Sequence, residues 1–183
     1  MKPCRHLAPL ALALAVLSAA PALAEAPAEP DGYRLEDYRA ATPATLRGAT
    51  VLTTPDAQAL WQAQSALFVD VLPHAPRPAN LPAGTIWRDK PHDSIPGAAW
   101  LPDVGHGALA AETEAYFKRN LASLTADDRD KPLVLFCKKD CWMSWNAAKR
   151  ALGYGYRHIY WYPDGVDGWA AAALPLAPLE PRP

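Results

Sequence analysis

The sequence predicts an α/β fold: a mainly parallel central sheet, helices on both faces, and an active-site loop at the carboxyl end of a central strand. Three observations predict it. The runs "ALFVDVL" (66–72) and "PLVLFC" (132–137) are nearly continuous apolar stretches, too short for helices, as expected of strands buried on both faces. Segments of helical spacing alternate with them, which implies βαβ crossovers and parallel pairing. In "FCKKDCWMSWNAAKR", from Phe136, two cysteines stand where a buried strand ends and a helix follows. Ligand sites of open parallel sheets lie at that edge.

Residues 1–24 read as a secretory signal. Lys2, Arg5 and His6 precede the apolar run 7–23, and Ala22-Leu23-Ala24 has the small-x-small form of a cleavage site. Cys4 leaves with the signal, and the mature chain is expected in the periplasm, an oxidising compartment that permits disulfides. Residues 25–48 are Pro/Ala-rich and read as an extended arm, with Tyr33 and Tyr38 as anchors. The domain proper is expected over 49–174, with a Pro-rich tail at 175–183.

Within the domain, "TVLTT" (50–54) has the β-branched content of a strand. Thr54, Pro55 and Asp56 then supply an N-cap, an N1 proline and an early acid for a helix carrying Leu60 and Trp61. After the strand at 66–72 comes a proline-rich loop, then "IPGAAWLP" (95–102), a turn feeding a short strand. Phe117, Leu121 and Leu124 recur at helical spacing, with Glu112 and Glu114 in the first turn. Beyond the strand at 132–137, Ser144 is expected to cap a helix running to about Gly153, with Trp145, Ala148 and Leu152 on its apolar side. "HIYWY" (158–162) is a further strand, and 166–173 a last short helix.

Eighteen basic and nineteen acidic side chains leave a formal charge of -1. With no long basic run, nothing points to nucleic acid. No apolar run reaches the roughly 18 residues of a membrane span, so no membrane partner is expected.

The cysteine loop admits three readings. A tight loop closing on a helix start turns its backbone N–H groups inward and forms an anion nest. The helix dipole with Lys138 and Lys139 would lower a thiol pKa there, and Asp140 would oppose them. A structural Cys137–Cys141 disulfide is the second reading, although so short a loop gains little unfolded-state entropy from closure. The third is a soft Cu(I) site completed by His74, His92 or His106. Trp142 either walls the pocket or fills core, and Trp145 is core. Trp61, Trp87, Trp100, Trp161 and Trp169 read as packing, and Asp70 as a cap for loop amides.

The order strand, Cys137, short loop, "AAKRALGYGYRHIYW" and "DGVDGW", preceded by "FVDVLP" and "SIPGAAWLP", resembles the rhodanese domain. A closer resemblance joins "YRLEDYRAATPATLRGATVLTT", "GTIW", "SIPGAAWLP", "DCWMSWNAAKRALGYGY" and "YWYPDGVDGW". These segments look like the exported PQQ-dependent catabolism-associated CXXCW-motif family. That resemblance implies a rhodanese-like fold and a place beside periplasmic quinoprotein alcohol oxidation. A quinoprotein dehydrogenase or cytochrome c system is the implied protein partner, and a small thiol or sulfur donor the implied substrate.

Departures from the rhodanese pattern bear on chemistry. The loop is one residue longer, Asp140 replaces the usual loop glycine, and Leu72 stands where many rhodaneses carry Arg. Met143 occupies the position where phosphatase relatives need Arg, so phosphoryl transfer lacks its guanidinium clamp. The expected mechanism has Cys137 as the nucleophile of lower pKa and Cys141 as its resolving partner, with Lys138, Lys139, Asp140, Trp142, Met143 and Ser144 forming the substrate loop. The alternative is a non-enzymatic accessory protein that binds copper or a redox partner.

Overall fold

The computed structural model describes residues 26–75, 78–86 and 92–183. The expected signal at 1–24 and Trp87 lie outside these residues. Five strands form one sheet: β1 (Thr50–Val51), β2 (Leu67–Asp70), β4 (Ala99–Trp100), β5 (Leu133–Phe136) and β6 (Ile159–Tyr162). Their order is β1-β6-β5-β2-β4, and every neighbouring pair is parallel. The helices are α1 (Thr54–Gln62), α2 (Ala111–Thr125), α3 (Trp142–Gly153) and α4 (Gly165–Ala171). None is long and apolar enough to cross a membrane among the described residues.

Alternation along the strands explains the continuous apolar runs. Leu133, Leu135 and Cys137 point into a core shared with Phe117 and Leu121 of α2 and Trp145 and Ala148 of α3. Val134 and Phe136 point to the opposite core, with Ala57 of α1 and Val166 and Trp169 of α4. Both faces are dry, so β5 has no polar position.

Several boundaries differ from expectation. The strand "TVLTT" shortens to Thr50–Val51, because Thr53 caps α1 in a capping box with Asp56. Thr54 is instead the first helical residue, and its hydroxyl pairs with that of Tyr162 at 2.8 Å. The last helix runs one to two residues earlier than expected.

The N-terminal arm is fastened to the domain at several points. Leu46 is buried in the α2/α3 core, and the Nε1 groups of Trp142 and Trp145 donate to Ala41 O and Thr45 O. The Asn146 side chain pairs with both backbone groups of Arg34. The expected Pro-rich tail likewise contributes structure. Its Ala177–Leu179 segment, β7, pairs antiparallel with His92–Ser94, β3. "HDS" carries no apolar signal, so only tertiary pairing reveals this ribbon.

Candidate functional site

The cysteine loop spans the gap between the end of β5 and the start of α3. Its far wall is the turn into α4. Val166 N donates to Cys137 O at 2.9 Å, and Lys138 bridges Gly165. Gly165 adopts a φ of +51°, and a Cβ there would collide with Cys137 O. Glycine is required for that close approach. At the loop's bend Asp140 is left-handed, φ +53°, a conformation that aspartate tolerates better than most residues. Asp140 thus meets the left-handed backbone of the bend without glycine.

The helix begins earlier than the sequence suggests. Cys141 is its N-cap residue, with φ −123° and ψ 106°, and Trp142 its first residue. Ser144, the expected cap, lies inside the helix and fully buried. Its hydroxyl donates to Cys141 O at 3.2 Å and accepts Trp161 Nε1 at 3.0 Å, so it ties α3 to β6. The expected ring of free loop amides is incomplete. Lys139 N donates to the Asp167 carboxylate at 3.1 Å and Trp142 N to Tyr38 O at 2.9 Å. The amides of Lys138 and Met143 remain directed at sulfur.

Cys137 and Cys141 are brought together as free thiols that share a hydrogen bond, and both are buried, at 0% and 2% exposure. Their environments differ in sign. Burial pushes the Cys137 thiol well up, and donation to Cys141 and the Asp70 carboxylate add to this. Cys141 is lowered to about 6, first because it accepts the Cys137 hydrogen bond, then because the Met143 and Lys138 amides and the Arg39 charge favour its thiolate. The expectation that Cys137 has the lower pKa is therefore reversed. The strand end is the deepest point of the sheet edge, whereas the helix N-terminus receives the dipole and the amides.

Trp142 is buried, edge-on to Trp145 at 5.4 Å and beneath the Arg34 guanidinium at 5.3 Å. It fastens the arm to the helix. Lys138 is half-buried, and Lys139 and Asp140 are exposed at the loop's rim. Asp70 does not cap the cysteine loop: it accepts Leu72 N at 2.9 Å, Ser94 Oγ at 2.5 Å and His92 Nε2 at 2.6 Å. His74 faces Asp103 at 2.7 Å and His106 lies 4.0 Å from it. Among the described residues, no three His, Cys, Asp or Glu side chains are grouped to hold a metal ion.

Residues that sequence reasoning did not place at the site come from the arm. Arg39 forms an antiparallel bridge with Cys141, and Tyr38 supplies the carbonyl that starts α3. The segment "DYRAATPATLRG" was visible as a motif, but nothing in its spacing says that it folds back over a helix start 100 residues later.

Residues 55–172, from α1 to the end of α4, match the family described as "Rhodanese-like domain". The chain belongs to the rhodanese-like family. The chain is similar to several solved structures. A thiosulfate sulfurtransferase from Pseudomonas aeruginosa is 20% identical with a TM-score of 0.50, over 74% of this chain but only 21% of that one. The polysulfide-sulfur transferase homodimer of Wolinella succinogenes is 21% identical with a TM-score of 0.44, over 71% of this chain and 79% of that one. A 3-mercaptopyruvate sulfotransferase from Escherichia coli is 18% identical with a TM-score of 0.38, over 67% and 42%. Comparison with curated proteins gives no match. The strand-end loop of this rhodanese-like chain carries a thiol at each end, Cys137 and Cys141.

Proposed function

We propose that this rhodanese-like protein is an exported thiol enzyme that takes sulfane sulfur, or half of a disulfide, onto Cys141 and resolves the adduct with Cys137. One observation carries the reading: two buried free thiols, one at a strand end and one at a helix N-terminus, meet at the carboxyl edge of a parallel sheet. A thiolate attacks while a protonated neighbour waits, and that division of labour suits a two-step exchange.

In the first step the Cys141 thiolate attacks the outer sulfur of a donor, and the donor's leaving group departs with the electron pair of the broken S–S bond. Cys141 becomes a persulfide, Cys–S–S⁻. In the second, Cys137 attacks Cys141 Sγ, forming the Cys137–Cys141 disulfide and expelling the terminal sulfur. The Cys137 proton leaves with it as HS⁻, so no further base is needed. An external dithiol restores the reduced pair by exchange.

The basic, apolar leader and the resemblance to the PQQ-associated CXXCW-motif family support a place in the bacterial periplasm, beside quinoprotein alcohol catabolism. A quinoprotein dehydrogenase or c-type cytochrome is the partner we propose there, and a small thiol or sulfur donor the substrate.

Mass spectrometry after treatment of the reduced protein with a sulfane donor tests the chemistry. Wild type is expected to release sulfide and end as the internal disulfide. Cys137→Ser should stop at a Cys141 persulfide, and Cys141→Ser should release no sulfide. Persulfide found on Cys137 in the Cys141→Ser protein would restore the opposite assignment. No modification of either thiol would leave a binding role.

A further inference from the structure

Cys141 is only 2% exposed, yet displacement at sulfur needs the attacking thiolate, the central sulfur and the leaving group in line. No reactant can take that line while the arm lies where it does. The arm crosses the start of α3 between two fastenings. At one end the Asn146 side chain holds both backbone groups of Arg34 at 2.9 Å, and at the other Trp142 Nε1 donates to Ala41 O at 3.0 Å. Between them the backbone of Arg39 lies antiparallel to Cys141, and Tyr38 O accepts Trp142 N at 2.9 Å. Trp142 is the first residue of α3, so its amide has no acceptor within the helix. The Tyr38 carbonyl thus sits on a helix-start donor of the kind that receives anions.

The stretch is built to lift. Leu35, Glu36 and Asp37 are exposed, so the segment is free on its outer side. Its inner ties are few: beyond the Tyr38 carbonyl, the Tyr38 hydroxyl accepts Gly107 N at 3.0 Å, and its ring meets His106 edge-on at 5.3 Å. Asp37 stands at φ +47°, a left-handed conformation that costs a residue with a side chain and that the flanking contacts must maintain. Asp37, Tyr38 and Arg39 also wall a cavity of about 430 Å³, so lifting them enlarges an existing space.

We propose that residues 35–40 form a lid that, when closed, covers Cys141 and occupies the first amide of α3, and that exposes both when it lifts. The proposal deepens the thiol reading above, with Cys141 as the sulfur that must be reached. The lid lies outside residues 55–172, the part that matches the family. Opening is a rapid local equilibrium, so the reactivity of Cys141 scales with the open fraction.

The test uses the φ of Asp37. Proline is fixed near φ −65° and cannot adopt the closed conformation, whereas asparagine can. The reduced full-length proteins are labelled with iodoacetamide at about pH 9, well above the Cys141 value of about 6, and the label is located by mass spectrometry. Asp37→Pro should label Cys141 at least about tenfold faster than wild type, and Asp37→Asn within about twofold of it. Tyr38→Phe, which removes the Gly107 tie, should give a gain of about fivefold, the size of one hydrogen bond. Hydrogen exchange by NMR reads the lid without sulfur chemistry. The Trp142 amide should be protected in wild type and lose that protection in Asp37→Pro, while the amides from Ala148 onward in α3 keep theirs. Equal labelling of Asp37→Pro and Asp37→Asn, or wild-type labelling as fast as in urea-unfolded protein, would overturn the lid. Should Asp37→Pro lose protection throughout α3, Tyr38→Phe decides, and no gain there sinks the proposal. Fast labelling of Asp37→Pro without sulfide release from a sulfane donor would keep the lid and overturn the sulfur-transfer reading.

Discussion

Cys137 and Cys141 are chemically identical residues four positions apart, and their surroundings make them an acid and a base. Cys137 closes a strand buried on both faces and sees the Asp70 carboxylate, so its proton is retained. Cys141 caps a helix, receives the Met143 and Lys138 amides, and lies beside Arg39. The rate of alkylation of the reduced protein by iodoacetamide should rise with pH around a midpoint of about 6, with the label on Cys141. Equal labelling of both thiols with a midpoint near the ordinary cysteine value of about 8.5 would contradict this. The same shift links to stability. A folded pKa below the unfolded one makes the thiolate stabilising above roughly pH 8.5, and that contribution disappears as pH falls through the folded value.

At the scale of elements, three segments hold the loop: α3 behind it, the arm above it and the turn into α4 beside it. Trp142 and Trp145, two residues of one helix turn, reach different carbonyls of the arm, Ala41 O at 3.0 Å and Thr45 O at 3.1 Å. The α4 turn has less tolerance. Gly165 combines a left-handed φ with backbone contact to Cys137 O, so Gly165→Ala meets both a conformational and a steric penalty. We expect a loss of about 2–4 kcal/mol in urea unfolding, with slower sulfur transfer because the Cys137 carbonyl must shift. Unchanged stability would mean that the α4 turn does not brace the loop.

For the molecule as a whole, the two cores divide the labour. One, under α1 and α4, is aromatic and closed by Trp169, Phe68 and Phe136. The other, under α2 and α3, contains both cysteines, so the site is an opening at the edge of a core rather than a surface feature. The same scale governs export. Edman or mass-spectrometric analysis of protein from the soluble envelope fraction should place the first residue at or near Glu25, without Cys4; an intact Met1 would refute the periplasmic placement. By itself the sequence determined the α/β alternation, the buried strands 66–72 and 132–137, the position of the cysteine loop at a strand end, and the rhodanese resemblance. These are written in local periodicity and composition, which a linear reading can detect. Tertiary structure alone decided that the arm covers the loop, that Arg39 reaches Cys141, that Ser144 lies inside α3 and that the tail pairs with "HDS". It also decided which thiol is the stronger acid. Each depends on contacts between residues far apart in the chain, and a thiol's acidity follows the burial, dipoles and charges that those contacts assemble around it.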